Sequence, residues 1–351
     1  MRGQRPLLKP WPLALLVFCA AIGPLPFGLV GFALHTAGRS IVAWAALGAL
    51  AAPALTWWYG RSPAPNTGEG IVASVWAAAA ALFFLAGAGL TLHLWLEVLR
   101  VSEYPNTPGW AIAGLTLTAV AYTARLGPEN LLRLAPPMAA LLALAVCGVL
   151  VFAWTLGSAG HLAGGFDPFV AGGSLPAAWP LLLFAAHGTA LSPVFARYTD
   201  ARAYLIPSVA ASASAGLLLA GAYVLPLAVW NLGPSLHTEF PLLHAITPVS
   251  TIFFPVHRLA LLAFILLQMN LIGQLASYLL AAVDLAGLPT FPLTSGIATV
   301  LGCVAIAAMA VWPAPSFTVA RLAALWSIGG LVLFGALPLV GRRRARAAVP
   351  A

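Results

Sequence analysis

The sequence predicts an all-α integral membrane protein with ten transmembrane helices, arranged as two five-helix repeats of opposite orientation. Three observations lead to this fold class. The chain is too apolar for a water-soluble protein, it contains ten apolar stretches of bilayer-spanning length, and two of those stretches, five spans apart, are interrupted near their middle by glycine and proline.

Composition identifies the solvent of this chain. Of its 351 residues, 62% are hydrophobic and only 7% are charged, with a mean hydropathy of +0.97, whereas soluble domains carry roughly 25% charged residues. So few charges cannot cover a water-exposed surface, so lipid must surround much of the chain. A helix needs ~20 apolar residues to cross the hydrocarbon core. The apolar stretches have that length and do not alternate with polar residues, which favours helices over a β-barrel.

The positions of the positive charges predict the orientation. The ten predicted spans are residues 12–34, 40–59, 72–97, 108–124, 132–155, 177–195, 204–229, 257–283, 290–312 and 318–340. With the N-terminus in the cytoplasm, twelve of the sixteen Lys and Arg residues fall on the inside and four on the outside, as the positive-inside rule requires. Both termini are therefore expected in the cytoplasm, with the basic tail near anionic lipid rather than nucleic acid.

This topology divides the chain into two repeats. Residues 1–156 form the first five-helix repeat, 157–176 an external loop, 177–341 the second repeat and 342–351 the cytoplasmic tail. Because five is odd, the second repeat enters the membrane in the opposite orientation, as in many transporters. The external loop at 230–256 is too apolar for a free loop, and we expect it to hold a short helix that acts as a lid.

Spans 1 and 6 carry the interruptions. Gly23 lies 11 residues after the start of span 1, within AAIGPLPFG, and Gly188 lies 11 residues after the start of span 6, within AAHGTALSP. At a rise of ~1.5 Å per residue, both breaks fall near the bilayer midplane. A single break would be explained by a packing kink, since Gly and Pro are frequent in membrane helices. Two breaks at equivalent depth in an inverted pair favour a binding site.

The residues of the first break suit an anionic ligand. We expect Pro24 to end the first half-helix and Pro26 to lie in the first turn of the second, leaving amides near Phe27 and Gly28 unpaired at the positive end of a helix dipole. Glycine there permits close backbone approach. An amino acid carboxylate fits these amides, and free carbonyls of a first half-helix would take its ammonium group. The predicted ligand-binding residues of this break are Gly23, Pro24, Leu25, Pro26, Phe27 and Gly28.

The second break contributes three further candidates, His187, Gly188 and Thr189. His187 is either a ligand contact and titratable gate or a core histidine bonded to a carbonyl. Thr189 either bonds the ligand or caps the second half of span 6.

Polar residues within spans 3 and 8 complete the predicted site. His93 and Glu97 share a helical face, and Arg100 follows; this group is either an ion pair at the external helix end or an outer gate. Asn270 and Gln274 share a face of span 8, where Gln268 points elsewhere. Polar groups in lipid face the bundle interior, so the two either bond to neighbouring helices or contact the ligand.

Other chemistry is not indicated. All eight acids lie at span ends or in loops, whereas proton-coupled carriers commonly place a carboxylate in the pathway. The three cysteines are isolated within apolar spans. No nucleotide loop, metal cluster or catalytic triad is present in the sequence, so we expect no cofactor and no enzyme activity.

Several stretches give the chain a family resemblance. TPGW at 107–110, ARLGPENLLRLA at 124–135, RSPAPNTGEGI at 61–71 and AAIGPLPFG at the first break follow in order along the sequence. Together they resemble the spore germination permease family, the B subunits of nutrient germinant receptors, within the amino acid–polyamine–organocation superfamily. The segment 107–135 is the most specific part of the resemblance.

The resemblance carries expectations of its own. It implies a ten-helix LeuT-like fold, a small nutrient ligand, often an amino acid, and A-type and C-type receptor subunits as partners in the spore inner membrane. Two alternatives remain open: a secondary amino acid transporter of the cytoplasmic membrane, and a structural subunit with a vestigial pocket.

Overall fold

The chain is mainly helical in the part that the computed structural model describes, which comprises residues 9–61, 71–102, 105–163, 190–199, 203–238, 240–246, 259–287 and 292–338. No β-strand occurs in these ranges. The all-α fold class is therefore confirmed. Most of predicted span 6, residues 164–176 of the loop before it and the basic tail lie outside the described residues.

The longer helices match the predicted spans closely. The helices, numbered in chain order, are α1 (Pro10–Ala21), α2 (Pro24–Ala37), α3 (Ile41–Gly60), α4 (Ile71–Ser102), α5 (Gly109–Arg125), α6 (Gly127–Trp154), α7 (Leu205–Trp230), the short α8 (Leu232–Leu236) and α9 (Pro241–Ile246), α10 (Leu259–Leu285), α11 (Pro292–Val311) and α12 (Ser316–Gly330). Helix α12 continues as a π-helix over Leu331–Ala336. Span 1 corresponds to α1 and α2, spans 2–5 to α3–α6, and spans 7–10 to α7, α10, α11 and α12.

Among the described residues, six helical stretches are long and apolar enough to cross a membrane. They are Leu29–Gly60, Ile71–Val101, Gly127–Val151, Leu205–Trp230, Phe264–Leu285 and Thr318–Ala336. Pro10–Ala21 and Gly296–Val311 are apolar but shorter. The described residues thus support an integral membrane protein with several transmembrane helices, while the count of ten spans stays a prediction.

The distribution of side chains also fits a lipid environment. Large apolar side chains such as Leu50, Leu115 and Leu144 are exposed on the outside of the bundle. Polar side chains such as Asn270 and Gln274 are buried inside it. Soluble proteins rarely expose extensive apolar surface, and polar groups of membrane helices face the bundle interior.

Helix packing surrounds the interrupted first span. Helix α7 packs most extensively against α3 and α1, and α6 packs against α1 and α10. Helix α4 lies against α10, α11 and α12, and α5 lies against α10 and α11. The short helices α8 and α9 contact α2 and α7, so the described part of the loop at 230–256 holds two short helices where one was predicted. Its function as a lid stays a prediction.

An aromatic cluster joins α4 to α12. The rings of Phe83 and Trp326 are stacked with centroids 4.5 Å apart, and Trp326 Nε1 donates to the carbonyl of Phe83 at 2.7 Å. Phe334 packs edge-on against Phe83 at 5.5 Å. Gly87 leaves room for the indole: a Cβ at this position would lie 2.9 Å from Trp326 Cε2 and closer still to Cζ2.

We therefore expect Gly87→Ala to destabilise the protein. The indole is held by its stack and its hydrogen bond, so the added methyl strains the packing, and overpacking costs roughly 1–3 kcal/mol. Thermal unfolding of the purified protein in detergent measures the change. Gly329→Ala is the matched control, because a Cβ at Gly329 meets no heavy atom within 4 Å. Equal stability of the two variants would contradict this account of the interface.

Candidate functional site

The first predicted transmembrane span is interrupted at Gly23. Helix α1 ends at Ala21, Ile22 follows as its C-cap, and Gly23 is extended with φ −71° and ψ 173° before α2 begins at Pro24. The residue before a proline is pushed out of the helical region by the pyrrolidine ring. The Pro24 ring therefore explains why the chain leaves the helix at Gly23.

Pro26 lies in the first turn of the second half-helix, as expected, but Pro24 lies differently from the sequence-based expectation. Pro24 does not end the first half-helix; it is the first residue of the second. This first position suits proline, because its missing N–H would have no intrahelical partner. Helical geometry pairs the amides of Phe27 and Gly28 with carbonyls one turn earlier. Within the first turn, the amide that the helix leaves without an intrahelical acceptor is therefore that of Leu25.

The carbonyl end of α1 is bonded by amide side chains of α10. Asn270 Nδ2 donates to the carbonyl of Cys19 at 2.8 Å, and Gln274 Nε2 donates to that of Ala20 at 3.2 Å. Both amide side chains are buried, with 3% and 2% of their residue surface exposed. Of the two interpretations of this face, interhelical bonding is confirmed by these contacts. Ligand contact by the same residues stays a prediction.

Gln274 lies directly against the break. Its Nε2 is also 3.2 Å from the hydroxyl of Tyr278, while its Oε1 has no hydrogen-bond partner among the described residues. A Cβ on Gly23 would lie 2.7 Å from Gln274 Cδ, 2.9 Å from Nε2 and nearer still to Oε1. A side chain at position 23 would therefore have to displace the Gln274 amide from the place where it bonds the carbonyl of Ala20.

A small cavity adjoins these amides on the N-terminal side of the break. Its volume is about 230 Å³, and it lies between α1, α6, α10 and the end of α5. Most of its lining is apolar. Its polar lining comes from Asn270, Gln274 and Thr123, and its sulfur-containing lining from Cys19, Met138 and Met269.

Gln268 belongs to a different network, as the sequence predicted. Its Oε1 accepts from Trp95 Nε1, and its Nε2 donates to Thr116 Oγ1 at 3.2 Å. These bonds link α10 to α4 and α5. Gln268 therefore provides an amide on the same helix that does not bond the broken segment.

His93, Glu97 and Arg100 do not form one group. The buried His93 donates from Nδ1 to the carbonyl of Ala310 at 2.9 Å, which ties α4 to α11. Glu97 and Arg100 form an ion pair of 3.7 Å, in which the arginine side chain is 65% exposed. The predicted ion pair is observed between Glu97 and Arg100. His93 takes no part in this pair, although helical spacing places it on the same face as Glu97.

We expect Arg100→Gln to change the free energy of unfolding by less than about 1 kcal/mol, because exposed ion pairs contribute little. Ligand affinity should stay that of the wild type. Thermal unfolding and ligand titration of the purified variant check both statements, with Glu97→Gln as the partner substitution. A clear change in affinity in both variants would favour the outer-gate interpretation instead.

The second predicted break cannot be described from the structure. His187, Gly188 and Thr189 lie outside the described residues, so this break stays a prediction.

Tyr278 was missed by the sequence analysis, although its spacing of four residues from Gln274 places the two on one helical face. Among the described residues, no three His, Cys, Asp or Glu side chains are grouped to hold a metal ion.

Comparison of the sequence with models of known protein families and with curated proteins finds no match.

Proposed function

We propose that this chain is the nutrient-sensing, permease-like subunit of a spore germinant receptor, built on a LeuT-like fold of ten transmembrane helices. The observation that carries the proposal is the helix break at Gly23, deep inside a bundle of apolar helices. Non-helical backbone at membrane depth is tolerated where it is buried in protein or lines a cavity, and such breaks commonly form ligand sites.

The pattern of helix contacts supports the inverted repeat. An inverted repeat pairs each span with the span five positions away, so α4 (span 3) pairs with α10 (span 8) and α5 (span 4) pairs with α11 (span 9). The contact of α4 with α11 then has its counterpart in the contact of α10 with α5, and both contacts are observed. The same exchange relates the contact of α6 with α10 to that of α4 with α12, and both of these occur as well. The contacts of α3 with α7, α4 with α10 and α5 with α11 map onto themselves.

The break suits a small ligand with an acidic and a basic group. The first turn of α2 offers the Leu25 amide and the positive end of a helix dipole to a carboxylate. Gln274 Oε1, which lies against Gly23, is an acceptor for an ammonium group. An amino acid carries both groups, so the nutrient we propose is an amino acid held near Gly23 and, on span 6, near Gly188.

The partners follow from the resemblance in residues 61–71 and 107–135. We propose that the chain works with A-type and C-type receptor subunits in the spore inner membrane and that ligand binding triggers germination. A secondary amino acid transporter is the second candidate, because a broken helix within an inverted repeat is also the usual plan of transporters.

Reconstitution separates the two candidates. Purified protein in lipid vesicles is given radiolabelled amino acids with an inward proton gradient, and binding is measured in parallel. A receptor subunit should bind a ligand and accumulate little of it, since its acids lie at span ends and in loops. Accumulation that collapses when the gradient is dissipated would support the transporter, and vesicles containing Gly23→Leu protein give the background.

A further inference from the structure

The end of α1 presents carbonyl oxygens in the interior of the bundle. Such an end carries the negative pole of the helix dipole, and in broken membrane helices it is a common site for a coupling cation. The carbonyls of Cys19 and Ala20 near this end therefore need either an ion or protein donors, because water is scarce at this depth.

In this chain, protein donors bond all three carbonyls from Phe18 to Ala20. The carbonyl of Phe18 accepts from the amide of Ile22 at 3.0 Å, within the helix. Asn270 Nδ2 bonds the carbonyl of Cys19 at 2.8 Å, and Gln274 Nε2 bonds that of Ala20 at 3.2 Å. Both donors are uncharged and come from the same face of α10.

The charges around the break also disfavour an ion. The first acid in the sequence is Glu69, so α1 and α2 contain none, and the single acid of α10 is Asp284 at its C-terminal end. The acid of α6, Glu129, lies in the first turn of that helix. A cation bound at Cys19 and Ala20 would therefore lack a carboxylate from the helices that carry these contacts.

We propose that Asn270 and Gln274 replace a coupling cation at the helix break, so that the site is held together without sodium or potassium. The two amides supply the positive ends of their N–H dipoles where an ion would supply a charge. This inference depends on the geometry of the break and holds for a receptor or a transporter, whatever the nutrient.

Thermal unfolding of the purified full chain, without added nutrient, tests the proposal. Sodium chloride is titrated against choline chloride at constant ionic strength, and potassium chloride is tested in the same way. The melting temperature of the wild type should not change. Gln274→Glu and Asn270→Asp should gain a saturable stabilisation by sodium, because a carboxylate facing a carbonyl needs a cation between them.

Two further variants keep the test decisive. Gln268→Glu is the matched control, since Gln268 is an amide of α10 that bonds Trp95 and Thr116 rather than α1; it should gain no sodium response. A glutamate at position 274 that stays protonated would not bind sodium, so Gln274→Ala tests the same point without a carboxylate. It leaves the carbonyl of Ala20 with the more distant Gly23 amide, at 3.4 Å, and should also gain stabilisation by sodium. The proposal is overturned by saturable stabilisation of the wild type, or by variants at 270 and 274 that respond no more than Gln268→Glu.

Discussion

Gly23→Leu is expected to lower ligand affinity by at least about 100-fold, close to 3 kcal/mol, while the protein still inserts into the membrane. A side chain at position 23 competes for space with the Gln274 amide, because a Cβ there would overlap this amide. A leucine must either displace this amide, which leaves the carbonyl of Ala20 without its side-chain donor, or shift α2 away from α1. Both changes alter the break at which we propose the ligand binds. Titration of purified protein by calorimetry measures the loss.

Smaller substitutions at position 23 distinguish a steric effect of the leucine side chain on binding from a general loss of stability. Gly23→Ala should weaken binding less than leucine, and combining it with Gln274→Ala should relieve the overlap and restore much of the thermal stability. Gly114→Ala is the control, because a Cβ at Gly114 meets no heavy atom within 4 Å. A Gly23→Leu protein that binds as tightly as the wild type would exclude the break in span 1 as the ligand site.

The helices could be predicted because lipid imposes a simple rule on the sequence. Every backbone group in the hydrocarbon region needs an internal partner, so long apolar stretches become helices. Span 2 was predicted at 40–59 and its helix is Ile41–Gly60. Span 7 was predicted at 204–229 and its helix is Leu205–Trp230.

Local chemistry near the break was harder to predict. Either of two prolines, at 24 and 26, could begin a helix, and sequence alone does not select between them. The structure shows that α2 begins at Pro24 and that Gly23, just before it, has the extended backbone conformation. Because α2 begins at Pro24 rather than at Pro26, the amide without an intrahelical acceptor is that of Leu25 and not one near Phe27.

Tertiary partners were beyond the reach of pattern analysis. The shared face of Asn270 and Gln274 follows from helical spacing, but their bonding to Cys19 and Ala20 joins residues about 250 positions apart. The depth of α10 relative to α1 determines this pairing. His93 illustrates the same limit, since its acceptor is Ala310 on α11 rather than a group on its own helix.

The carboxylate of the ligand provides the second large effect. The tightest-binding of the twenty common amino acids, identified by thermal shift on the purified protein, is compared with its primary amide. We expect the amide to bind more weakly by roughly 1–3 kcal/mol, about 5- to 150-fold, because a charge-assisted hydrogen bond is replaced by a neutral one.

The reason lies in the first turn of α2. Prolines at 24 and 26 carry no N–H, so the Leu25 amide is the donor of that turn that helix geometry leaves available. An unpaired amide at membrane depth costs several kcal/mol, and a carboxylate would satisfy it while interacting with the positive end of the dipole. Amidation keeps the size of the group and removes its charge. If acid and amide bind equally well, the carboxylate does not lie at α2, and the break at Gly23 would instead act as a hinge between two half-helices whose carbonyl end is already bonded by Asn270 and Gln274.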